Sequence, residues 1–182
     1  MNSSIEGRLL IAAPVLCDPN FFRSVIYIAR HSSEGAFGIL LNRPSNLRLE
    51  DIMEQARGHR PRRRDAIYVG GPVEGPLLAL HQLENLGDVY PGGVWLTSDD
   101  DHLMMLADRP DVSARFFSGY SGWGPGQLEA ELDAGGWMVG QFLPEQLYGD
   151  AERIWEVAVK RQGQEVLRSV IPDSGKVDPG VN

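Results

Sequence analysis

Apolar residues occur along this chain in short runs, and the spacing within each run sets the element it predicts. Leu9 to Ala13 is a continuous apolar stretch stopped by Pro14, which predicts a strand. After the Asp18-Pro19-Asn20 turn, Ser24-Val25-Ile26-Tyr27-Ile28-Ala29 is rich in β-branched and aromatic residues and predicts a second strand. Ala36 to Leu41 predicts a third, across a Ser32-Ser33-Glu34-Gly35 connection. The period then changes. Leu49, Ile52, Met53 and Ala56 recur at i, i+3, i+4 and i+7, one stripe of a helix from about Leu47 to Ala56, with Ser45 or Asn46 as its cap.

Strands follow at Ala66 to Val69, Leu77 to His81 and Val94 to Thr97. A helix begins near Ser98, with Leu103, Leu106 and Ala107 on its apolar side, and closes at Arg109-Pro110. Arg115 to Tyr120 is extended and enters the turn-rich segment from Ser121 to Gly126. Leu128 and Leu132 lie one turn apart in a helix stopped by Gly135-Gly136, and Trp137 to Phe142 returns to strand character. Ile154, Trp155 and Ala158 give Glu152 to Arg161 a stripe that docks on the sheet. Short strands alternating with short helices predict an α/β (α+β) fold with a mixed sheet whose strand order the pattern leaves open. Residues 1–171 form its single domain, and residues 172–182, with two Pro and two Gly, read as a flexible tail.

Composition narrows the function classes. With 182 residues and a formal charge of -8, the chain is long enough for a sizeable core and opposes a broad nucleic-acid footprint. One basic segment defies the average: Arg57, His59, Arg60, Arg62, Arg63 and Arg64 read either as a solvated loop or as a polyanion contact. The single cysteine, Cys17, excludes an intramolecular disulfide and reads as an inert, buried or half-buried thiol. The uncharged run after Arg8 ends at Asp18, too short for a membrane span and poorly flanked for a signal peptide, so cytoplasmic residence is the expectation. Asp99-Asp100-Asp101 reads as a helix entry rather than a metal loop, and no HExxH or close Cys/His spacing predicts a metal. Gly70-Gly71-Pro72 lacks the spacing of a nucleotide loop, and no cofactor is expected.

Several ordered blocks together carry a resemblance over nearly the whole chain. These are Gly7-Arg8-Leu9-Leu10-Ile11-Ala12 with Pro14, Asp18 with Phe22-Arg23-Ser24-Val25, and His31 with Gly35-Ala36-Phe37-Gly38 and Asn42-Arg43-Pro44. They continue with Gly70-Gly71-Pro72-Val73, Leu80-His81, the run from Gly119 to Glu129, and Gly136-Trp137. In their order and spacing the chain resembles the YqgE/AlgH family. The resemblance implies a compact α/β protein with a complex, partly barrel-like mixed sheet. It implies no assigned activity, although one branch of the family bears the label of transcriptional regulator. The arginine-rich segment after Ala56 stands outside the shared pattern.

Polar residues near strand ends supply the candidate ligand-binding set. Arg23, His31, Asn42, Arg43 and His81 can converge on a carboxylate or phosphate, with arginines giving bidentate bonds; alternatively, Arg23 and Arg43 pair with Asp18 and the sheet edge. Gly70 and Gly71 form either an anion cradle or a tight structural turn. Trp123 either stacks on a ligand or plugs the sheet edge. Glu129 sits in a first helical turn, where it serves the dipole or acts as an acid or base if a second polar group is supplied. Neither Ser24 nor Ser121 lies in GxSxG, and no catalytic residue is assigned. The expectation is a regulatory or binding protein that contacts a partner protein or a small anion, with oligomeric state open and no membrane association. The alternatives are a transcriptional regulator with direct DNA contact, and a hydrolase or transferase acting on an anionic substrate in a cleft shared by Gly70, Gly71, His81 and Glu129.

Overall fold

The apolar runs near the amino terminus are continuous because both faces of their strands are covered. In the computed structural model, which describes residues 4–170, β1 (Arg8–Ala12), β2 (Val25–Ser32) and β3 (Gly35–Leu40) lie side by side and antiparallel. Strand alternation sorts their side chains. Leu9, Ile11, Val25, Tyr27 and Ile39 pack in one cluster, and Leu10, Ala12, Ile26, Ile28 and Leu40 in another on the opposite face.

The chain continues through β4 (Pro44–Arg48), α1 (Leu49–Arg57), β5 (Ala66–Val69), β6 (Val73–His81), β7 (Asp88–Tyr90) and β8 (Val94–Thr97). It then forms α2 (Asp100–Ala107), β9 (Ala114–Trp123), α3 (Gln127–Asp133), β10 (Trp137–Gln141), a 3-10 turn (Pro144–Tyr148) and α4 (Ile154–Val170). The main strand order is β10-β1-β2-β3-β9-β6-β8-β7, with β5 joined to β9 and β4 to β5. Every pairing is antiparallel except β5 with β9, which makes the sheet mixed.

The sheet curls until its two ends meet. The Tyr27 hydroxyl donates to the Pro91 carbonyl at 2.7 Å, and a Cβ on Gly7 would lie 2.4 Å from that of Pro91, in the turn between β7 and β8. Phe142, just past β10 at the other end of the strand order, packs on Tyr27 and on Gly92. The result is a partly barrel-like α/β fold. Its interior cluster joins Leu9, Ile11 and Tyr27 to Leu78, Leu80 and Phe117, and α4 adds Ile154 and Ala158. On the outside, α3 covers β1 to β3, while α1 and α2 cover Ile67, Ala79 and Phe116. No helix among the described residues is long and apolar enough to cross a membrane.

Four local readings are corrected. The helix expected from about Leu47 starts at Leu49, and neither Ser45 nor Asn46 caps it; Pro44–Arg48 is instead strand β4, paired with β5. Ser45 is drawn away because its hydroxyl donates to the Ile67 carbonyl at 2.7 Å. Strand β9 runs on to Trp123 rather than ending at Tyr120, because β3 pairs with its last three residues. Cys17 is exposed, since the Pro14 to Asn20 loop leaves the sheet. The basic segment is not simply a solvated loop: Arg63 is 7% exposed and donates to the carbonyls of Leu106, Arg109, Val112 and Ala114 and to Asp65. Its neighbours Arg57 and His59 pair with Asp100 and Asp108. Asp99 caps α2 by accepting from the N–H groups of Asp101 and His102. The expected tail at 172–182 lies outside the described residues.

Candidate functional site

The turn before β2 is wound around Asp18, whose carbonyl accepts from the N–H groups of Phe21 and Phe22 at 3.1 and 2.7 Å. It ends at Arg23, which has φ 52°, a left-handed conformation that costs a side-chain-bearing residue about 1–2 kcal/mol. The neighbours over-determine that conformation. Asn42 lies just past β3; its Nδ2 donates to the Arg23 carbonyl and its Oδ1 accepts from the Val25 N–H, both at 2.9 Å. Arg43 donates through Nη2 to the Phe22 carbonyl at 2.8 Å and to that of Asn20 at 3.4 Å.

The Arg23 guanidinium lies 5.0 Å from the Trp155 ring centroid and 5.3 Å from that of Phe22, a cation–π contact with each ring. Arg23, Asn42 and Arg43 thereby line one opening of about 260 Å³, together with Phe22, Trp155, Glu152 and Glu156. No ion pair among the described residues includes Arg23 or Arg43. Their hydrogen-bonding and stacking partners are backbone carbonyls and ring faces, and Glu152 and Glu156, which line the same opening, form no ion pair with either arginine.

The other candidates lie elsewhere. His31, on β2, has its Nε2 2.9 Å from Glu129 Oε1 on α3, and its Nδ1 accepts from the Ile5 N–H at 3.2 Å. That backbone donor fixes the tautomer: Nε2 carries the proton and donates to the carboxylate. Its own backbone N–H and then His31 hold the Glu129 carboxyl below the ordinary 4.5. Trp123 is buried at the end of β9, near-parallel to Phe21, and its indole N–H donates to Glu131 at 3.0 Å. The same Glu131 oxygen accepts from Trp137 at 2.9 Å, so one carboxylate clamps two indoles.

Gly70 and Gly71 sit where β3 and β5 diverge along β9. The Gly70 N–H donates to Ser118, and its carbonyl accepts from the Leu40 N–H and the Ser121 hydroxyl. His81, fully buried at the other end of β6, uses Nδ1 to accept from the Leu83 N–H at 3.2 Å, and its Nε2 has no hydrogen-bond partner. His81 pairs with Ala114 at the start of β9, whereas the His31–Glu129 pair flanks the end at Trp123. Ten residues of strand separate the two positions, roughly 30 Å at the usual rise. Among the described residues, no group of three His, Cys, Asp or Glu side chains is placed to share a metal.

Sequence reasoning passed over Trp155 as a ring of the opening, and Glu152 and Glu156 with it. Two acidic residues four apart around an aromatic, at the entry to α4, were the available signal. Glu131 carries no local signal that Trp123 and Trp137 share its carboxylate.

Comparison with known proteins agrees with this architecture. A family model described as AlgH-like matches residues 9–167. A UPF0301 protein of Ruegeria pomeroyi is 35% identical over 173 residues, covering 90% of this chain and 94% of the relative. One from Pseudomonas syringae is 36% identical over 172 residues, covering 88% and 90%. The solution structure of the AlgH protein from Pseudomonas aeruginosa superposes with a TM-score of 0.71 at 29% identity, covering 100% of this chain and 98% of that one. A crystal structure of a Corynebacterium diphtheriae protein gives 0.69 at 26% identity, with 88% of each chain covered. With its sequence matched almost throughout and its curled sheet shared, this chain belongs to the AlgH-like family.

Proposed function

We propose that the chain is a non-enzymatic regulatory or binding protein whose recognition surface is the Arg23–Asn42–Arg43 opening, which receives an anionic group of a partner protein or a small anion. The observation that carries this reading is the left-handed Arg23, held by Asn42 beside a second guanidinium that has no carboxylate partner. Backbone strain retained at a charged, aromatic-lined opening is the pattern of a pre-organised binding site. Half-exposed Phe22 and the Trp155 ring add apolar surface next to the charges.

The hydrolase or transferase reading draws no comparable support, because His81 and Glu129 flank opposite ends of β9 and His31 has both ring nitrogens engaged. Direct DNA contact is opposed by the charge of -8 and by acidic partners on Arg57, His59, Arg63 and Arg64.

The test compares the wild type with Arg43→Ala, immobilised in parallel and exposed to cell extract. Arg43 makes exposed contacts to loop carbonyls, so the variant keeps its fold by circular dichroism. A protein or anion held by the wild type and released by the variant is the expected outcome; equal retention by both removes the opening from consideration. A salt titration with mixed duplex DNA runs alongside, and tight binding with a steep salt slope would replace this reading with the DNA one.

A further inference from the structure

A second cavity, of about 310 Å³, lies between β5, the start of β9 and the 3-10 turn, lined by Asp65, Ala66, Tyr68, Ala114, Arg115 and Tyr148. It holds none of the residues assigned to the Arg23 opening, and what it contains is an unbalanced set of donors. Arg115 projects from β9; its Nη1 donates to the Leu41 carbonyl at 3.3 Å and its Nη2 to the Gly149 carbonyl at 2.9 Å. The guanidinium sits 4.4 Å from the Tyr68 ring centroid. These partners are neutral. No ion pair among the described residues includes Arg115, although the residue is half-buried and burial pulls its guanidinium below the ordinary 12.5.

Tyr148 adds the second anomaly. Its hydroxyl is buried and has no hydrogen-bond partner, an arrangement that native proteins rarely leave without a use. Burial pushes the phenol above its ordinary 10.0 even though Arg115 and Arg63 pull the other way, so the group remains a neutral O–H donor throughout the physiological range. A half-buried cation with no carboxylate partner and a buried, unpartnered donor, both on residues that line one small cavity, ask for an oxygen-bearing anion. Asp65 lies on the same rim, already paired with Arg63 at 2.6 Å, and its charge disfavours a doubly charged guest.

We propose that this cavity is a binding site for a small monoanionic carboxylate, whose oxygens accept from the free N–H groups of Arg115 and from the Tyr148 hydroxyl. The inference goes beyond the recognition surface proposed above and stands independently of it.

The decisive variant is Tyr148→Phe. In the ligand-free protein the hydroxyl has no partner to lose, so its removal leaves the urea midpoint unchanged or raises it. Arg115→Gln is the weaker probe, since it also breaks the links to Leu41 and Gly149. Acetate, propionate and L-lactate are titrated into the full chain and followed by amide chemical shifts, with chloride and inorganic phosphate at matched ionic strength as comparisons.

The expected result is saturable binding of at least one carboxylate, with shifts centred on Ala66, Arg115 and Tyr148. Tyr148→Phe should weaken it about tenfold or more, as loss of a hydrogen bond to a charged group does. Three results would overturn the proposal: no carboxylate distinguishable from chloride, phosphate preferred over every carboxylate, or equal affinity in Tyr148→Phe. A clear loss of stability in that variant would also count against it, because it would place the hydroxyl in the structural hydrogen-bond network.

Discussion

Asn42 shows how much a single amide does beside the Arg23 opening. Its two hydrogen bonds, to the Val25 N–H and the Arg23 carbonyl, join the end of β3 to the entry of β2 across the strained turn. Asn42→Ala leaves the buried Val25 donor unpaired, at a cost of about 1–3 kcal/mol, and releases Arg23 from φ 52°. The strain relief returns part of that cost. Urea denaturation should therefore show Asn42→Ala less stable by about 2 kcal/mol, and it should also lose whatever the opening binds. An unchanged midpoint would mean that the turn holds itself through Asp18 alone. His31 gives the complementary lesson: a histidine next to a carboxylate has the outline of a base, yet the Ile5 N–H on Nδ1 leaves it no free lone pair.

At the scale of elements, the decisive feature is the fork along β9. Strand β3 pairs with Ser121 to Trp123, and β5 runs parallel to Phe117 and Ser118 on the way there. Gly70 occupies the crotch, where a Cβ would lie 2.2 Å from the Gly119 carbonyl oxygen. That neighbour is backbone and cannot swing aside, so Gly70→Ala should cost about 3 kcal/mol or more, read as a lowered urea midpoint. A near-neutral variant would show that β5 can shift without loss.

The fork also explains which elements were legible. Val25 to Ala29 and Leu9 to Ala13 announce themselves because both faces are buried and every residue is apolar. Pro44-Ser45-Asn46 carries turn residues, and only the distant partner β5 makes it a strand; Asp88–Tyr90 is too short to show a period. For the site, the polarity of Arg23, Asn42 and Arg43 at strand ends was visible locally. The separation of His81 from Glu129 was not, because it follows from strand order, which long-range pairing sets.

For the molecule as a whole, a histidine sealed in the core makes stability depend on pH. His81 is fully buried, and burial, aided by the nearby His102, pulls its ring below the ordinary 6.5. In the unfolded chain the same ring titrates at about 6.5. As pH falls below that value, the unfolded state takes up a proton that the folded state refuses, and stability declines by up to about 1.4 kcal/mol per pH unit until the lowered folded value is reached. Above 6.5 both states hold a neutral ring and this term is flat. Glu129 acts in a separate window: its depressed carboxyl gives stability that is present above 4.5 and lost as pH falls through the folded value. The chain should therefore unfold at lower urea concentration at pH 5.5 than at pH 7.5, an interval that lies above the Glu129 window. His81→Asn keeps an acceptor for the Leu83 N–H and removes the titration, so its stability, though lower at neutral pH from the void it leaves, should change little across that interval. Parallel pH slopes for the two proteins would show that the decline originates elsewhere and that the core accepts a charged imidazole.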